Sequence, residues 1–130
     1  MSALKKQVLV FDQDLAEGNK TAALLRFLEY PVKVFDDRQR LNNYLAESSG
    51  DDLLALLIRD KSGFPVLKSV ADSLNKQDLS CPCYLVKWEA ESLSVPSSIS
   101  RHIAGTIPFP VSYQLLLGVL QEAELFSASS

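Results

Sequence analysis

The sequence predicts an α/β fold in which a doubly wound, five-stranded parallel sheet carries helices on both faces. Short apolar runs typical of strands alternate with segments of helical spacing from end to end of the 130 residues. The run Leu53–Ile58 is apolar at every position, as expected of a central parallel strand that helices cover on both sides. No internal repeat or change in composition divides the chain. A single domain with right-handed crossovers is therefore expected.

The first strand and helix are marked by an apolar run followed by acidic residues. Gln7–Phe11 predicts a buried strand, and Asp14 opens a capping-box pattern at the start of a helix. Helical spacing of leucine and alanine extends this helix over Leu15–Leu28, and Pro31 ends it. Val32–Phe35 is then predicted to be the second strand.

The middle of the chain repeats the alternation. Asp36 or Asp37 is expected to cap a second helix, which stops near Gly50 ahead of the central strand. Pro65 can occupy the first turn of a third helix, whose apolar residues recur at helical spacing as far as Leu74.

The last third of the chain contributes two more strands and a long helix. Cys83–Val86 and Ile103–Ile107 predict the fourth and fifth strands, and the serine-rich segment Glu89–Arg101 predicts at most one short helix. Pro108-Phe109-Pro110 predicts an extended turn before a final helix over Val111–Phe126.

Composition excludes several classes of function. With 13 basic and 16 acidic residues and a net charge of −3, the chain lacks the basic surface that grips nucleic acid. No run approaches the roughly 18 apolar residues of a membrane span. Cys81 and Cys83 are too close in sequence to form a disulfide readily. Together with His102 they are too few to bind zinc, which needs four ligands in a structural site. We expect a cytoplasmic domain that binds neither nucleic acid nor membrane directly, with reduced thiols lining a strand.

Catalysis is not predicted. The five glycines are scattered singly, so no phosphate-binding loop is formed, and the single histidine leaves a nucleophile without a base. In doubly wound sheets the functional crevice lies at the carboxyl ends of the strands. The residues to consider there are Asp12 to Asp14, Leu57 to Asp60, Lys87 and Trp88, and Ile107 to Phe109.

Over nearly its whole length the chain resembles a response-regulator receiver domain. The resemblance rests on VLVFDQD at the first strand, PCYLVK at the fourth, and IPFP before the last helix. It implies the flavodoxin-like strand order 2-1-3-4-5. It also implies a chemistry in which an acidic pair after strand one and an aspartate ending strand three hold Mg²⁺. The aspartate that ends strand three also accepts a phosphoryl group. A Ser or Thr after strand four and a Lys before the proline of strand five bind the phosphoryl oxygens.

Most of these positions carry the wrong side chains here. Carrying the family positions over residue by residue gives a degenerate pocket made of Asp12, Gln13, Leu57, Lys87 and Ile107. Ile58 is the second choice for the acceptor position. Neither the Leu57 nor the Ile58 side chain can be phosphorylated. We therefore expect no phosphoacceptor, no catalytic residue, no bound metal and no cofactor in this domain.

Two charged residues leave alternatives open. Lys87 is expected either to pair with Asp12, supplying a fixed positive charge in place of the metal, or to point into solvent. Asp60 could swing toward Asp12 if a bulge shortened its loop; the simpler interpretation is a solvated loop residue.

A narrower resemblance concerns FLEYPVKVF, the third strand without aspartate, and IPFPVSYQLLLGVLQEA. These resemble the amino-terminal domain of flagellar master regulators of FleQ/FlrA type, which activate sigma-54 RNA polymerase. The resemblance implies an AAA+ ATPase domain and a helix-turn-helix domain further along the same protein, a MinD-like ATPase as partner, and cyclic di-GMP binding outside this domain. Residues 1–126 would be the regulatory domain and 127–130 a frayed tail or the start of a linker.

The last helix suggests where such a domain makes contacts. Three consecutive leucines at 115–117 cover more of the helix than one buried stripe requires. Leu116, Val119, Leu120 and Ala123 form the expected inward stripe. Tyr113, Leu117 and Leu125 then point elsewhere, toward a partner or a neighbouring helix. Receiver domains commonly dimerise through their fourth and fifth helices and the strand between them, so the resemblance implies a candidate dimer interface of Tyr113, Leu117, Ile103 and Val111. The alternative is that Leu117 packs under residues 92–101.

The predicted function is a phosphorylation-independent regulatory and dimerisation domain of a sigma-54-dependent flagellar activator. The alternative is a stand-alone receiver-like adaptor that binds a signalling protein. A reading frame that continues beyond Ser130 into a Walker A motif would favour the regulator, and a stop codon would favour the adaptor.

Overall fold

The structure, a computed structural model, describes residues 6–48, 52–59, 65–77, 81–88 and 103–128. The strands are β1 (Gln7–Asp12), β2 (Val32–Phe35), β3 (Leu53–Arg59), β4 (Cys83–Trp88) and β5 (Ile103–Phe109). The helices within these ranges are α1 (Leu15–Phe27), α2 (Arg38–Ala46), α3 (Pro65–Gln77) and α4 (Tyr113–Ala128).

The five strands form one parallel sheet in the order β2-β1-β3-β4-β5. This arrangement confirms the predicted fold class and strand order. All seven residues of β3 are buried, because the strand has sheet neighbours on both edges and helices on both faces. The continuous apolar run that predicted a central strand thus reflects its real position.

Two apolar cores lie on opposite faces of the sheet. Alternate residues of each strand project to opposite faces, so Leu9 and Phe11 of β1 join the core under α2 and α3. Val8 and Val10 join the core under α1 and α4, which also takes Leu57 of β3. Asp12 lies two residues after Val10, so its side chain projects to the same face of the sheet, the one that α1 and α4 cover.

Aspartate caps begin the first two helices. Asp14 accepts hydrogen bonds from the backbone N–H groups of Ala16 and Glu17 at 3.1 and 3.4 Å. The Glu17 carboxylate lies 3.1 Å from the Lys20 ammonium group, one turn further along. At α2 the cap is Asp37 rather than Asp36, the other residue that the sequence allowed.

The end of α1 is set by the backbone rather than by proline. Glu29 adopts a left-handed conformation with φ of 67°, and the next N–H, of Tyr30, donates to Leu25 O at 3.0 Å. The chain has thus left the helix before Pro31, the residue that predicted its end.

The last two strands are longer than predicted. β5 continues through Pro108 to Phe109, where an extended turn was expected, and β4 continues to Trp88. β5 is an edge strand, so a proline without an N–H group can be accommodated there. The final helix begins at Tyr113 and runs to Ala128, past the expected end at Phe126. The predicted short helix in 89–101 lies outside the described residues.

Two helical glycines provide a matched pair for a stability test. A Cβ atom on Gly18 would lie 3.1 Å from Val34 Cγ1 and 3.2 Å from Asp12 Cβ, whereas one on Gly118 would meet nothing within 4 Å. Overpacking costs about 1–3 kcal/mol, against a helix-propensity gain of about 1 kcal/mol. Urea unfolding should show Gly18→Ala losing about 1 kcal/mol and Gly118→Ala gaining up to about 1 kcal/mol. A stabilised Gly18→Ala protein would contradict the close packing of α1 on β1 and β2.

Candidate functional site

The carboxyl ends of β1 and β3 place a buried ion pair in the predicted crevice. Asp12 and Arg59 are partners in the β1–β3 register, so their side chains leave the sheet side by side on one face. Arg59 Nε donates a hydrogen bond to Asp12 Oδ2 at 2.7 Å, and the two side chains are only 7% and 5% exposed. Two opposite charges are therefore held in contact and largely out of water.

The second oxygen of the Asp12 carboxylate is also occupied. Oδ1 accepts a hydrogen bond from the Asp14 backbone N–H at 2.9 Å. Because Asp14 is the N-cap of α1, this bond fixes the start of the helix relative to the tip of β1. The carboxylate is thus oriented by one bond from β3 and one from the β1–α1 junction.

Arg59 also reaches across the sheet to β5. Its Cζ atom lies 4.2 Å from the centroid of the Phe109 ring, a cation–π contact whose strength increases when the charge is desolvated. Its Nη2 atom is buried and has no hydrogen-bond acceptor among the described residues. One side chain therefore connects the ends of β1, β3 and β5.

The structure places Arg59, and not Leu57, beside Asp12. Leu57 is in register with Val10, two residues or about 6.6 Å before Asp12 along the sheet, and it is 1% exposed within the core. Ile58, the second choice for this position, belongs to the core on the opposite face. Because every residue of this run is apolar, the sequence does not show how β3 aligns with β1. The prediction therefore placed Leu57 at the end of β3, where the structure has Arg59.

Two other residues of the predicted pocket are not brought to Asp12 by the sheet. Ile107 is buried in register with Val86, and both belong to the core under α1 and α4. Lys87 follows Val86 and so projects to the face opposite Asp12. The cation that the structure shows in contact with Asp12 is Arg59. The sequence analysis includes Arg59 in the crevice range Leu57 to Asp60 but assigns it no role.

Gln13 and Asp14, the other described residues with acidic or amide side chains considered for the pocket, do not complete it. Gln13 is exposed beyond the end of β1. Asp60, which was considered as a substitute carboxylate, lies outside the described residues. Asp14 is exposed and uses its carboxylate as the α1 cap.

The described residues of the crevice do not fit the magnesium site of receiver domains. Mg²⁺ needs several oxygen ligands in octahedral geometry, and carboxylates are its usual protein ligands. Among the described residues no three acidic, histidine or cysteine side chains are grouped to hold a metal ion. Asp12 already accepts from Arg59, whose positive charge would repel a divalent cation at the same oxygen.

The candidate dimer residues are only partly exposed. Tyr113 packs edge-on against Phe27 of α1, with ring centroids 5.6 Å apart, and is 41% exposed. Ile103 and Val111 are partly buried against the two cores, and Leu117 has intermediate burial. The predicted packing of Leu117 under residues 92–101 involves a segment outside the described residues.

The inward stripe of α4 agrees with its prediction. Leu116, Leu120 and Ala123 are fully buried, and Val119 is partly buried against the same core. The helix is also tied to the end of α1, since Tyr30 OH donates to Glu124 Oε1 at 2.7 Å. Burial and the nearby carboxylate raise the pKa of Tyr30 to about 12, so this hydroxyl keeps its proton at neutral pH.

Both cysteines are free and buried, as predicted. Burial raises the pKa of Cys81 to about 12 and raises that of Cys83 as well, which suppresses thiolate chemistry. Within the described ranges, every helix is too short or too polar to span a lipid bilayer.

The fold is that of response-regulator receiver domains. The CheY-like receiver domain from Methanospirillum hungatei superposes with a TM-score of 0.76 at 12% identity, covering 96% of this chain and 98% of that one. The receiver domain of a sensor histidine kinase from Pseudomonas aeruginosa, crystallised with magnesium in its active-site cleft, gives a TM-score of 0.73 at 16% identity. Coverage is 91% of this chain and 96% of that one. These likenesses show a receiver fold.

The family is shown by the sequence. The model of the flagellar regulatory protein FleQ family matches residues 7–125, from the first residue of β1 to within α4. No individual curated protein matches the chain. The chain belongs to the FleQ family of flagellar regulatory proteins, and its described residues have a receiver-like fold.

Proposed function

We propose that this receiver-like domain regulates a sigma-54-dependent activator of flagellar genes without being phosphorylated, and that it acts as a homodimer. Family membership supports the flagellar role. The buried Asp12–Arg59 pair is the observation that carries the claim of phosphorylation independence. It supplies a permanent cation at the carboxylate that the family resemblance assigns to Mg²⁺.

A tethered guanidinium differs from a metal ion in its thermodynamics. Its attachment to β3 gives it a high effective concentration beside Asp12, so a free cation must displace it and leave a charge buried. The end of β3 also offers no nucleophile, because its last described residues are Leu57, Ile58 and Arg59. Among the residues that the structure describes at this crevice, neither a metal site nor a carboxylate placed to accept the phosphoryl group is then available.

The proposed setting follows from the family. The domain would act in the cytoplasm without a cofactor or catalytic activity, joined in its protein to an AAA+ ATPase and a helix-turn-helix domain. Its regulatory contacts would be with proteins, including a MinD-like ATPase, rather than with nucleic acid or membrane. Cyclic di-GMP would bind outside this domain.

Incubation with acetyl phosphate and Mg²⁺, followed by intact-mass measurement, tests the first half of the proposal. We expect the mass to remain that of the unmodified chain. A receiver domain with an intact aspartate, treated in parallel, is the positive control. A stable phosphoryl adduct on this chain would overturn phosphorylation independence.

A further inference from the structure

The Asp12 carboxylate accepts hydrogen bonds from two different parts of the fold. Its Oδ2 atom accepts from Arg59 Nε on β3 at 2.7 Å, and its Oδ1 atom accepts from the Asp14 backbone N–H at 2.9 Å. Arg59 Nη2 belongs to the same guanidinium group, is buried, and has no acceptor among the described residues. The start of α1 therefore holds one more donor than the carboxylate serves.

The unpaired nitrogen is the one that could use the second oxygen of Asp12. In arginine the Nε–H bond and one Nη2–H bond point the same way, and this fork matches the two oxygens of a carboxylate. The structure shows one arm of the fork in use, with Oδ1 bonded to Asp14 instead. A rotation of the carboxylate that carries Oδ1 to Nη2 would complete the fork and take Oδ1 away from the Asp14 N–H.

The two arrangements have opposing costs. The observed one keeps the charge-assisted bond that fixes the start of α1, but it leaves a buried N–H group of Arg59 without an acceptor. The other releases the Asp14 N–H, and because Asp14 is exposed, water can replace the carboxylate there. Neither arrangement pairs every donor within the protein, so neither has a decisive advantage.

We propose that the β1–α1 junction is a two-state element, in which the Asp14 N–H and Arg59 Nη2 compete for Oδ1 of Asp12. In the first state, which the structure shows, the carboxylate holds the start of α1. In the second state it binds Arg59 through both oxygens, and the first turn of α1 is released. The change moves one hydrogen bond and alters no covalent bond or protonation state.

Such an element lets a bound protein shift the domain without phosphoryl transfer. A ligand changes an equilibrium only by binding one state better than the other. The exposed residues at the start of α1, Asp14 to Ala16, change position between the two states, whereas the sheet beneath them does not. A protein that contacts this turn in only one of its positions would select that state.

Amide hydrogen exchange followed by NMR measures how often the Asp14 N–H is released. Arg59→Lys keeps a positive charge beside Asp12 but replaces the fork with a single ammonium group. Without the competing donor Oδ1 should stay on Asp14, so exchange of the Asp14 amide should slow about tenfold, the effect of about one hydrogen bond. A loss of stability alone would have the opposite sign, because it speeds exchange.

The start of α2 provides an internal control. Asp37 caps this helix as Asp14 caps α1, and it accepts from the Gln39 N–H at 2.8 Å. The helix packs on the face of the sheet opposite Asp12. Exchange of the Gln39 amide should therefore change less than about twofold in Arg59→Lys.

A second pair of variants tests the other donor. Asp14→Pro removes the backbone N–H together with the capping side chain, whereas Asp14→Ala removes the capping side chain alone. With Oδ1 free in Asp14→Pro, Arg59 should form the complete fork, and its Nη2 protons should give separate NMR signals that exchange slowly with water. In Asp14→Ala, which keeps the N–H, these signals should remain averaged as in the natural protein. Circular dichroism checks that both variants fold.

The outcomes separate this inference from the proposed function. Exchange of the Asp14 amide that does not slow relative to Gln39 in Arg59→Lys, or identical Arg59 signals in Asp14→Pro and Asp14→Ala, would overturn the competition for Oδ1. Either result would leave phosphorylation independence to its own test, since the Asp12–Arg59 pair would remain. The proposed dimerisation is decided separately by light scattering across a dilution series, in which Leu117→Glu should associate less than the natural protein.

Discussion

Replacing Arg59 by methionine is expected to lower the free energy of unfolding by about 3–5 kcal/mol, the effect of leaving one member of a buried ion pair behind. Asp12 is 3% exposed, so its carboxylate would stay in the protein interior without its charge partner. The contact with Phe109 would also lose its cation. Urea unfolding monitored by circular dichroism measures the change.

A double variant provides the control. In Asp12→Asn/Arg59→Met no charge remains in the pair, and the asparagine oxygen can still accept the Asp14 N–H. Its loss of stability should be about 1–2 kcal/mol, less than that of Arg59→Met alone. If the single variant were no less stable than the double one, the ion pair would not hold the ends of β1 and β3.

Replacing Arg59 by aspartate is expected to give the domain a response to divalent cations that we do not expect of the natural sequence. The change removes the tethered cation and sets a second carboxylate in register with Asp12. Without metal the two acids repel, so the variant should be strongly destabilised. Mg²⁺ or Mn²⁺ at about 100 times its dissociation constant would restore about 2.7 kcal/mol.

Thermal unfolding with and without the cation measures this response. We expect the midpoint of Arg59→Asp to rise by several degrees with metal, while those of the natural protein and of Arg59→Asn stay unchanged. Arg59→Asn removes the cation without adding a carboxylate, so it isolates the metal ligand from the loss of arginine. An Arg59→Asp midpoint that ignores both cations would show that Arg59 does not occupy a latent metal position.

Most of the fold could be predicted because its signals are local. Buried strands appear as apolar runs, and helix starts appear as capping aspartates, which the structure finds at Asp14 and Asp37. The sequence predicts too short a β5, because its prolines indicate a turn. The strand can continue through Pro108 because it lies at the edge of the sheet.

The site could be predicted only in part because it depends on register. The sequence identified the crevice and Asp12, but a run of six apolar residues before Arg59 looks the same in any alignment with β1. A shift of two residues separates the chosen Leu57 from Arg59. The available signal was an arginine directly after one apolar strand and an aspartate directly after another, and the sequence analysis assigns that arginine no role.

The guanidinium group at the end of β3 also has a consequence for how long the regulatory state of the domain lasts. A phosphoryl group is added and later hydrolysed, so the phosphorylated state of a domain lasts for a limited time. The positive charge of Arg59, by contrast, is present from translation to degradation. A regulator that is not phosphorylated, as proposed above, has no hydrolysis step at this crevice to end its signal. Under the proposed function, its influence on the flagellar genes would follow the abundance of the protein and the lifetimes of its complexes.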